Sequence, residues 1–288
     1  MKKNIYVCTP SAPFDRKSLN MDFAINNLNK LGFEVTLSRH ALENHGNTSA
    51  SIKNRLDDLH EGFSNDRYDI VMASRGGWNS NELLPHIDYD LIKKNRKPFF
   101  GMSDMTTLCV NLYQRSGIQT VYGHLLLHFG FTDDLKKYQS FIDVVNNPNL
   151  APKIFPNKIA DRNIIHGGTL KGPLFGGNLA VLCWLIGTDY ALDIPRGAVL
   201  FLEDDEETNG YYWQMYLNHL KQTGIFEKVN GIVFGSVLPE TLFQSGSSFN
   251  EIIKTVFAGY DFPIYIGAEF GHIQYPVPIP IGTEIFLR

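Results

Sequence analysis

The sequence predicts an α/β protein, with a parallel sheet covered by helices in its N-terminal half and a second α/β domain in its C-terminal half. Two observations carry this. Short apolar runs alternate with segments of helical period from residue 4 to residue 122, the pattern of repeated βαβ units. A stretch with Pro148, Pro152 and Pro156 among scattered polar residues then interrupts the alternation, and such punctuation reads as a linker. The expected division is therefore a first domain over 1–146, a linker over 147–168 and a second domain over 169–288.

In chain order the pattern predicts a strand over 4–9, a helix over 19–31 closed by Gly32, a strand over 33–37, a helix over 51–63 and a strand over 70–74. A short helix near 81–84, a strand over 99–102, a helix over 105–115 closed by Gly117 and a strand over 120–122 complete the first half. Glycine suits a helix end because the next position often turns left-handed. Beyond the linker come an apolar run over 170–175, a helix over 179–186, a strand over 199–202, a helix over 211–221 before Gly224 and a strand over 232–235. A helix over 250–257 and strands over 263–268 and 284–287 follow. In such sheets a ligand is expected at the carboxyl ends of the strands.

With 288 residues, 43% of them hydrophobic, the chain can fill its cores without staples. Cys8, Cys109 and Cys183 lie far apart with no CxxC spacing. An odd number suits buried thiols in a reducing compartment, so a cytoplasmic protein is expected. The charged start Met1-Lys2-Lys3 precedes an apolar run that breaks too early for a signal peptide. No segment approaches the roughly 20 apolar residues of a membrane span. A formal charge of -4 without long basic runs argues against a nucleic-acid partner.

Ser103 stands where the apolar strand Phe99-Phe100 runs through Gly101 into a helix. A serine on such a turn exposes its oxygen. The following N–H, that of Asp104, lies at a helix N-terminus, where unpaired donors and the dipole favour developing negative charge. The same serine also fits as that helix's N-cap, and these residues alone leave both readings open.

Arg75-Gly76-Gly77-Trp78-Asn79-Ser80 follows the strand over 70–74. Its glycines permit positive φ and a close approach of main chain to substrate, which a second oxyanion-hole donor requires. A tight turn with Asn79 or Ser80 capping a helix is compatible with that role. Glu203 directly follows an apolar run and heads five consecutive acids; it lies nearest the sheet and suits an orienting carboxylate, whereas the others read as a solvated loop without calcium-loop spacing. His272 occupies a glycine-flanked turn after the strand over 263–268. The order Ser, Glu, His is that of one large group of hydrolases, although spacing does not establish a triad. Cys109 falls inside a helix with no local activating group, and His86, His124 and His128 lack metal-ligand spacing. Neither GxGxxG nor GxxxxGK[ST] is present, so nucleotide phosphates have no cradle.

Arg75-Gly76-Gly77-Trp78-Asn79-Ser80-Asn81-Glu82-Leu83-Leu84-Pro85, Ile87-Asp88-Tyr89-Asp90 and Gly101-Met102-Ser103-Asp104 closely resemble the L,D-carboxypeptidase family of serine peptidases, which also includes the microcin C immunity peptidases. Gly176-Gly177-Asn178-Leu179, Gly187-Thr188-Asp189-Tyr190, Leu200-Phe201-Leu202-Glu203-Asp204, Phe270-Gly271-His272 and Pro280-Ile281-Gly282 match later motifs in the same order. The resemblance implies an N-terminal parallel α/β domain, flavodoxin-like, and a smaller C-terminal α/β domain. It further implies a Ser103–Glu203–His272 triad assembled across their interface, oxyanion-hole donors at the N–H groups of Gly77 and Asp104, and commonly a homodimer. Relatives of this kind trim terminal D-alanine from cytoplasmic murein tetrapeptides during cell-wall recycling.

On that basis Ser103 is expected to attack the carbonyl before a terminal D-alanine, through an acyl-enzyme that needs no metal or organic cofactor. The partner is then a small peptide with a C-terminal D-amino acid. Its free carboxylate needs a cationic or N–H-rich neighbour; Arg75 is the candidate, with Gly76 and Trp78 beside it. The sequence departs from the family at His124, where proline is common, and in the helix over 211–221, which lacks a basic residue often found near its start. Asn79-Ser80-Asn81 resembles the immunity branch and Phe270-Gly271-His272 the cell-wall branch. The short linker has no tryptophan to stack on a nucleobase, which tilts the expectation toward the cell-wall substrate. The alternatives are an immunity-type peptidase that cleaves the amide or phosphoramidate of peptidyl or aminoacyl nucleotides and, more distantly, a non-catalytic binder of a small ligand.

Overall fold

The computed structural model describes residues 2–15, 20–155, 157, 159–205, 209–237 and 248–288. The chain divides into two units, Met1–Pro148 and Asn149–Arg288.

The strands of the first unit are β1 (Lys3–Cys8), β2 (Phe33–Leu37), β3 (Ile70–Ala73), β4 (Phe99–Gly101) and β5 (Thr120–Tyr122). They lie in the order β5-β4-β3-β1-β2, every adjoining pair parallel. This is the flavodoxin-like order, whose switch point falls between β1 and β3. Ile5 pairs with Val35 on one side and Ile70 on the other, and Phe100 with Met72 and Val121. All of β3, β4 and β5 is buried, as strands covered on both faces must be.

The covering helices are α1 (Met21–Lys30), α2 (Ile52–Ser64), α3 (Tyr89–Lys94), α4 (Thr106–Asn111) and α5 (Gln139–Asn146). Ser51 caps α2 by accepting the Asn54 N–H at 3.2 Å. Leu19, the expected start of the first helix, lies outside the described residues. The single helix expected over 105–115 is instead a 3-10 turn (Ser103–Met105), α4 and a π turn (Leu112–Ser116) closed by Gly117 at φ 65. Every residue of α4 is buried, so the segment has no polar stripe from which its winding could be read. α3 has six residues and a cap from Asp88 to the Leu91 N–H, too few for a period to show. Phe33, Phe100 and Phe129 close around Phe141, with ring centroids 5.0–5.5 Å apart.

The second unit holds β6 (Ile164–His166), β7 (Leu170–Asn178), β8 (Ala198–Glu203), β9 (Val229–Gly235), β10 (Ile264–Ala268), β11 (Ile279–Pro280) and β12 (Glu284–Leu287). Its sheet runs β12-β7-β8-β9-β10-β6, parallel from β7 to β10 with antiparallel strands at both edges. β6 falls within the stretch expected to be linker. Its three residues pair with β10 a hundred residues on, Ile264 opposite His166, and no local pattern announces so distant a partner. Helices α6 (Leu179–Trp184), α7 (Gly210–Gln222) and α8 (Phe249–Val256) flank this sheet. α8 opens with a capping box, the Ser248 N–H donating to Glu251 at 2.7 Å and the Glu251 N–H to Ser248 at 3.3 Å. Trp213, Phe234 and Phe249 form its aromatic core.

The three cysteines are free and buried, as expected. Among the described residues no helix is long and apolar enough to cross a membrane, and no group of three or more His, Cys, Asp or Glu could hold a metal ion.

Candidate active site

Where β4 ends, Met102 is still extended, and Ser103 then turns into the left-handed region at φ 64. A side-chain-bearing residue held there costs of order 1–3 kcal/mol, so its surroundings must enforce the turn. The Ser103 N–H donates to the Tyr122 hydroxyl at 3.1 Å, and the Thr106 hydroxyl donates to the Ser103 carbonyl at 2.7 Å. The capping alternative does not describe this turn: the N-cap position is Met102, and the Ser103 hydroxyl makes no hydrogen bond among the described residues.

The loops after β1 and β3 meet this turn. A Cβ on Gly76 would lie 2.8 Å from that of Ser103, so only glycine lets the main chain pass here. Gly77 has φ 132, and a Cβ there would fall 2.3 Å from Ala12. The Asp104 carboxylate ties the loops together, accepting from the Ser11 hydroxyl at 2.6 Å and the Ser80 N–H at 3.0 Å. Burial pushes its pKa up and these hydrogen bonds pull it down, with a net rise. Ser80 does not cap a helix: its hydroxyl donates to the Asp104 carbonyl at 2.9 Å. The N–H groups of Gly77 and Asp104 donate to no protein acceptor among the described residues.

Arg75 is half-buried. Its guanidinium donates to the Pro13 carbonyl at 3.1 Å, while its buried Nε has no partner among the described residues. Burial lowers its pKa from the ordinary value, the mark of a cation short of counter-charge. Trp78 is half exposed and donates through its indole N–H to the Asn47 carbonyl at 2.6 Å.

In the second unit, β8 delivers Glu203 at its carboxyl end and the turn after β10 delivers His272. Glu203 is 1% exposed. Its Oε2 accepts the His272 backbone N–H at 3.0 Å and meets His272 Nδ1 at 2.7 Å. A carboxylate only accepts, so Nδ1 carries the proton and Nε2 of the neutral ring keeps its lone pair. Gly271 makes the approach possible, having φ 93 and a would-be Cβ 2.5 Å from Glu203 Oε2. Burial disfavours the imidazolium, but Glu203, with help from Asp205 and Asp204, outweighs it and raises the His272 pKa to about 9. Asp204 is itself raised to about 7, by burial and then by Glu203. Glu206 and Glu207, part of the expected solvated loop, lie outside the described residues.

Residues 5–123 match the family described as LD-carboxypeptidase N-terminal domain, and residues 171–287 match its C-terminal domain. The chain belongs to the LD-carboxypeptidase family. A probable murein peptide carboxypeptidase of Bacillus subtilis (strain 168) is 30% identical over 284 residues, covering 96% of this chain and 86% of that protein. The microcin C7 self-immunity protein MccF of Escherichia coli is 28% identical over 304 residues, covering 96% and 87%. Among solved structures, an MccF-like protein from Bacillus anthracis str. Ames superposes with a TM-score of 0.84 at 31% identity, covering 99% of this chain and 93% of that one. MccF in complex with aspartyl sulfamoyl adenosine superposes with a TM-score of 0.88 at 26% identity, covering 100% and 93%. The two-domain α/β architecture of this LD-carboxypeptidase family member matches theirs, and its carboxypeptidase relatives support a hydrolase.

Of the site residues expected from sequence, the first unit gathers Arg75, Gly76, Gly77, Ser103 and Asp104, and the second gathers Glu203 and His272. Three supporting residues escaped the sequence reading. Ser11 and Tyr122 act through long-range contacts that leave no local pattern. Asn178 both caps α6 and places its amide 3.4 Å from Glu203 and 2.9 Å from Asp204; its position just before an apolar helix was the readable signal.

Proposed function

We propose that the protein is a serine-type L,D-carboxypeptidase that releases terminal D-alanine from murein tetrapeptide, working as a cytoplasmic homodimer. Residues 1–146 carry the nucleophile and 169–288 the acid–base pair. The observation that carries the reading is the left-handed Ser103 turn, whose hydroxyl, like the N–H groups of Gly77 and Asp104, has no hydrogen-bond partner among the described residues. Backbone strain of this kind persists only where the surroundings enforce it, and it clusters at functional sites.

In the proposed mechanism His272, in the neutral form that prevails above its pKa of about 9, takes the Ser103 proton at Nε2 as the oxygen attacks the carbonyl of the L-configured centre before D-alanine. The imidazolium, steadied by Glu203, returns that proton to the departing amine. The Gly77 and Asp104 N–H groups bind the oxyanion, where losing one donor typically costs about 100- to 1,000-fold in rate. Water then releases the acyl group by the same proton route. Arg75, with Gly76 and Trp78, receives the free carboxylate of the peptide.

A second reading is carried by the likeness to MccF bound to aspartyl sulfamoyl adenosine: cleavage of an aminoacyl or peptidyl nucleotide. Incubating the protein with murein tetrapeptide and, separately, with aspartyl sulfamoyl adenosine, and following products by mass spectrometry, decides between them. The expected result is a higher kcat/KM for the tetrapeptide with loss of one alanine, and a drop of at least about 1,000-fold in Ser103→Ala with an unchanged melting temperature. Preference for the nucleotide establishes the second reading, and turnover of neither leaves a small-ligand binder.

A further inference from the structure

The two N–H groups read as oxyanion donors belong to different segments, Gly77 to the loop after β3 and Asp104 to the turn after β4. The chain between them fixes no distance between those groups. An oxyanion hole stabilises charge only if its donors are already in place, because a donor that must move gives up its gain in reorganisation. The two segments must therefore be held in register by contacts outside the hole.

The loop after β1 provides them. It lies at the switch point of the sheet, where β1 adjoins β3, and it brings the fully buried Ser11 against both segments. The Ser11 hydroxyl donates to Asp104 Oδ2 at 2.6 Å and to the Trp78 carbonyl at 3.0 Å, one proton shared between an acceptor on each. Trp78 directly follows Gly77, and a Cβ on Gly77 would lie 3.2 Å from Ser11 Oγ. Ser80 closes the tie, donating its N–H to Asp104 Oδ2 and its hydroxyl to the Asp104 carbonyl. Buried Arg55 joins the β1 and β3 loops a second time, donating to the Pro10 carbonyl at 3.1 Å and the Asn79 carbonyl at 3.2 Å. Asp104 is 2% exposed, and a carboxylate is costly to bury. Its charge also opposes the charge that a neighbouring oxyanion hole has to hold. Neither the proton route nor the capture of the substrate carboxylate uses it. What it supplies is geometry, as the acceptor on which Ser11 and the Ser80 N–H converge.

We propose that Ser11 and the Asp104 carboxylate are positioning residues that set the spacing of the Gly77 and Asp104 N–H groups around the oxyanion. This role rests on the reading of Ser103 as the nucleophile and of those N–H groups as its oxyanion donors. Ser11 acts through Trp78 and Asp104 rather than on the substrate.

The test compares the wild-type full-length protein with Ser11→Ala, Asp104→Ala and Asp104→Asn. It measures labelling of Ser103 by a fluorophosphonate and turnover of whichever of murein tetrapeptide and aspartyl sulfamoyl adenosine the wild type cleaves. Ser11→Ala should lower kcat by about 10- to 100-fold, the scale of a misplaced donor, with KM changed less than about three-fold. Labelling should slow by at least about ten-fold, because the phosphonyl oxygen draws on the same donors. Asp104→Ala should behave alike, and Asp104→Asn, which keeps an acceptor oxygen there, should recover at least about ten-fold of the loss. The acid limb of kcat/KM should not move, since it belongs to His272. Ser11→Ala removes one oxygen and Asp104→Asn keeps the side-chain shape, so both variants should fold. A structural role would lower the melting temperature with kcat intact, or raise KM alone; either result overturns the proposal, as does failure of Asp104→Asn to recover activity. An unlabelled Ser103 in the wild type overturns the nucleophile reading and this role with it. Labelling of the wild type and of Ser11→Ala at the same rate overturns this role alone.

Discussion

At His124 the fold buries an imidazole completely, with neither ring nitrogen hydrogen-bonded among the described residues. It packs against Phe129, Phe141 and Tyr138 at centroid distances of 5.4, 5.5 and 6.3 Å. Burial, and then nearby His128, holds its pKa well below the ordinary 6.5. The unfolded chain therefore binds a proton near pH 6 that the folded chain refuses, so the contribution of His124 to stability is lost as pH drops below about 6.5. His124→Phe should flatten the slope of melting temperature between pH 7 and pH 5; at φ 49 it also carries a strain cost that does not depend on pH. An unchanged slope would show that His124 is not the group responsible. Arg75 poses the opposite problem, a charge in search of a partner. If it receives the substrate carboxylate, Arg75→Ala should raise KM for the free acid at least ten-fold while changing KM for the corresponding amide little, and equal effects on both discard that role.

At the scale of elements, the site rests on loops that strand ends bring within hydrogen-bond range. The turn after β10 can reach the end of β8 only because residue 271 is glycine. Gly271→Ala places a Cβ 2.5 Å from Glu203 Oε2 and forces alanine into a left-handed backbone. It should lower kcat/KM by on the order of 100-fold through displacement of the His272 ring, and lower the melting temperature by several degrees. Wild-type kinetics in that variant would mean the Glu203–His272 contact is unimportant. The same scale separates what could be read from what could not. Strands β3 to β5 announce themselves as apolar runs, because burial on both faces demands such runs, whereas the edge strand β2 alternates buried with more exposed residues. The region over 105–115 is apolar all round, so its helical nature was legible but its division into 3-10, α and π turns was not. β6 was not legible, because only its pairing with β10 makes it a strand.

For the whole molecule, Ser103 belongs to one unit and Glu203 and His272 to the other. The proposed triad therefore makes a prediction about the intact chain. A fluorophosphonate should label Ser103, and His272→Ala should slow labelling by about 1,000-fold or more, because a serine without its base is a poor nucleophile. Equal labelling rates in the two proteins would dissociate His272 from Ser103. The sequence by itself determined the α/β class, the positions of most strands and the residue types at each strand end, since burial and turn chemistry act locally and leave local patterns. Tertiary structure decided how those residues are held. The hydroxyl of Ser103 is freed from capping because Tyr122 and Thr106 hold its backbone, and the proton of His272 is placed on Nδ1 because Glu203 lies 2.7 Å away. Each of these is a contact between residues distant in the chain, except that of Thr106, and such contacts are set by packing rather than by sequence spacing.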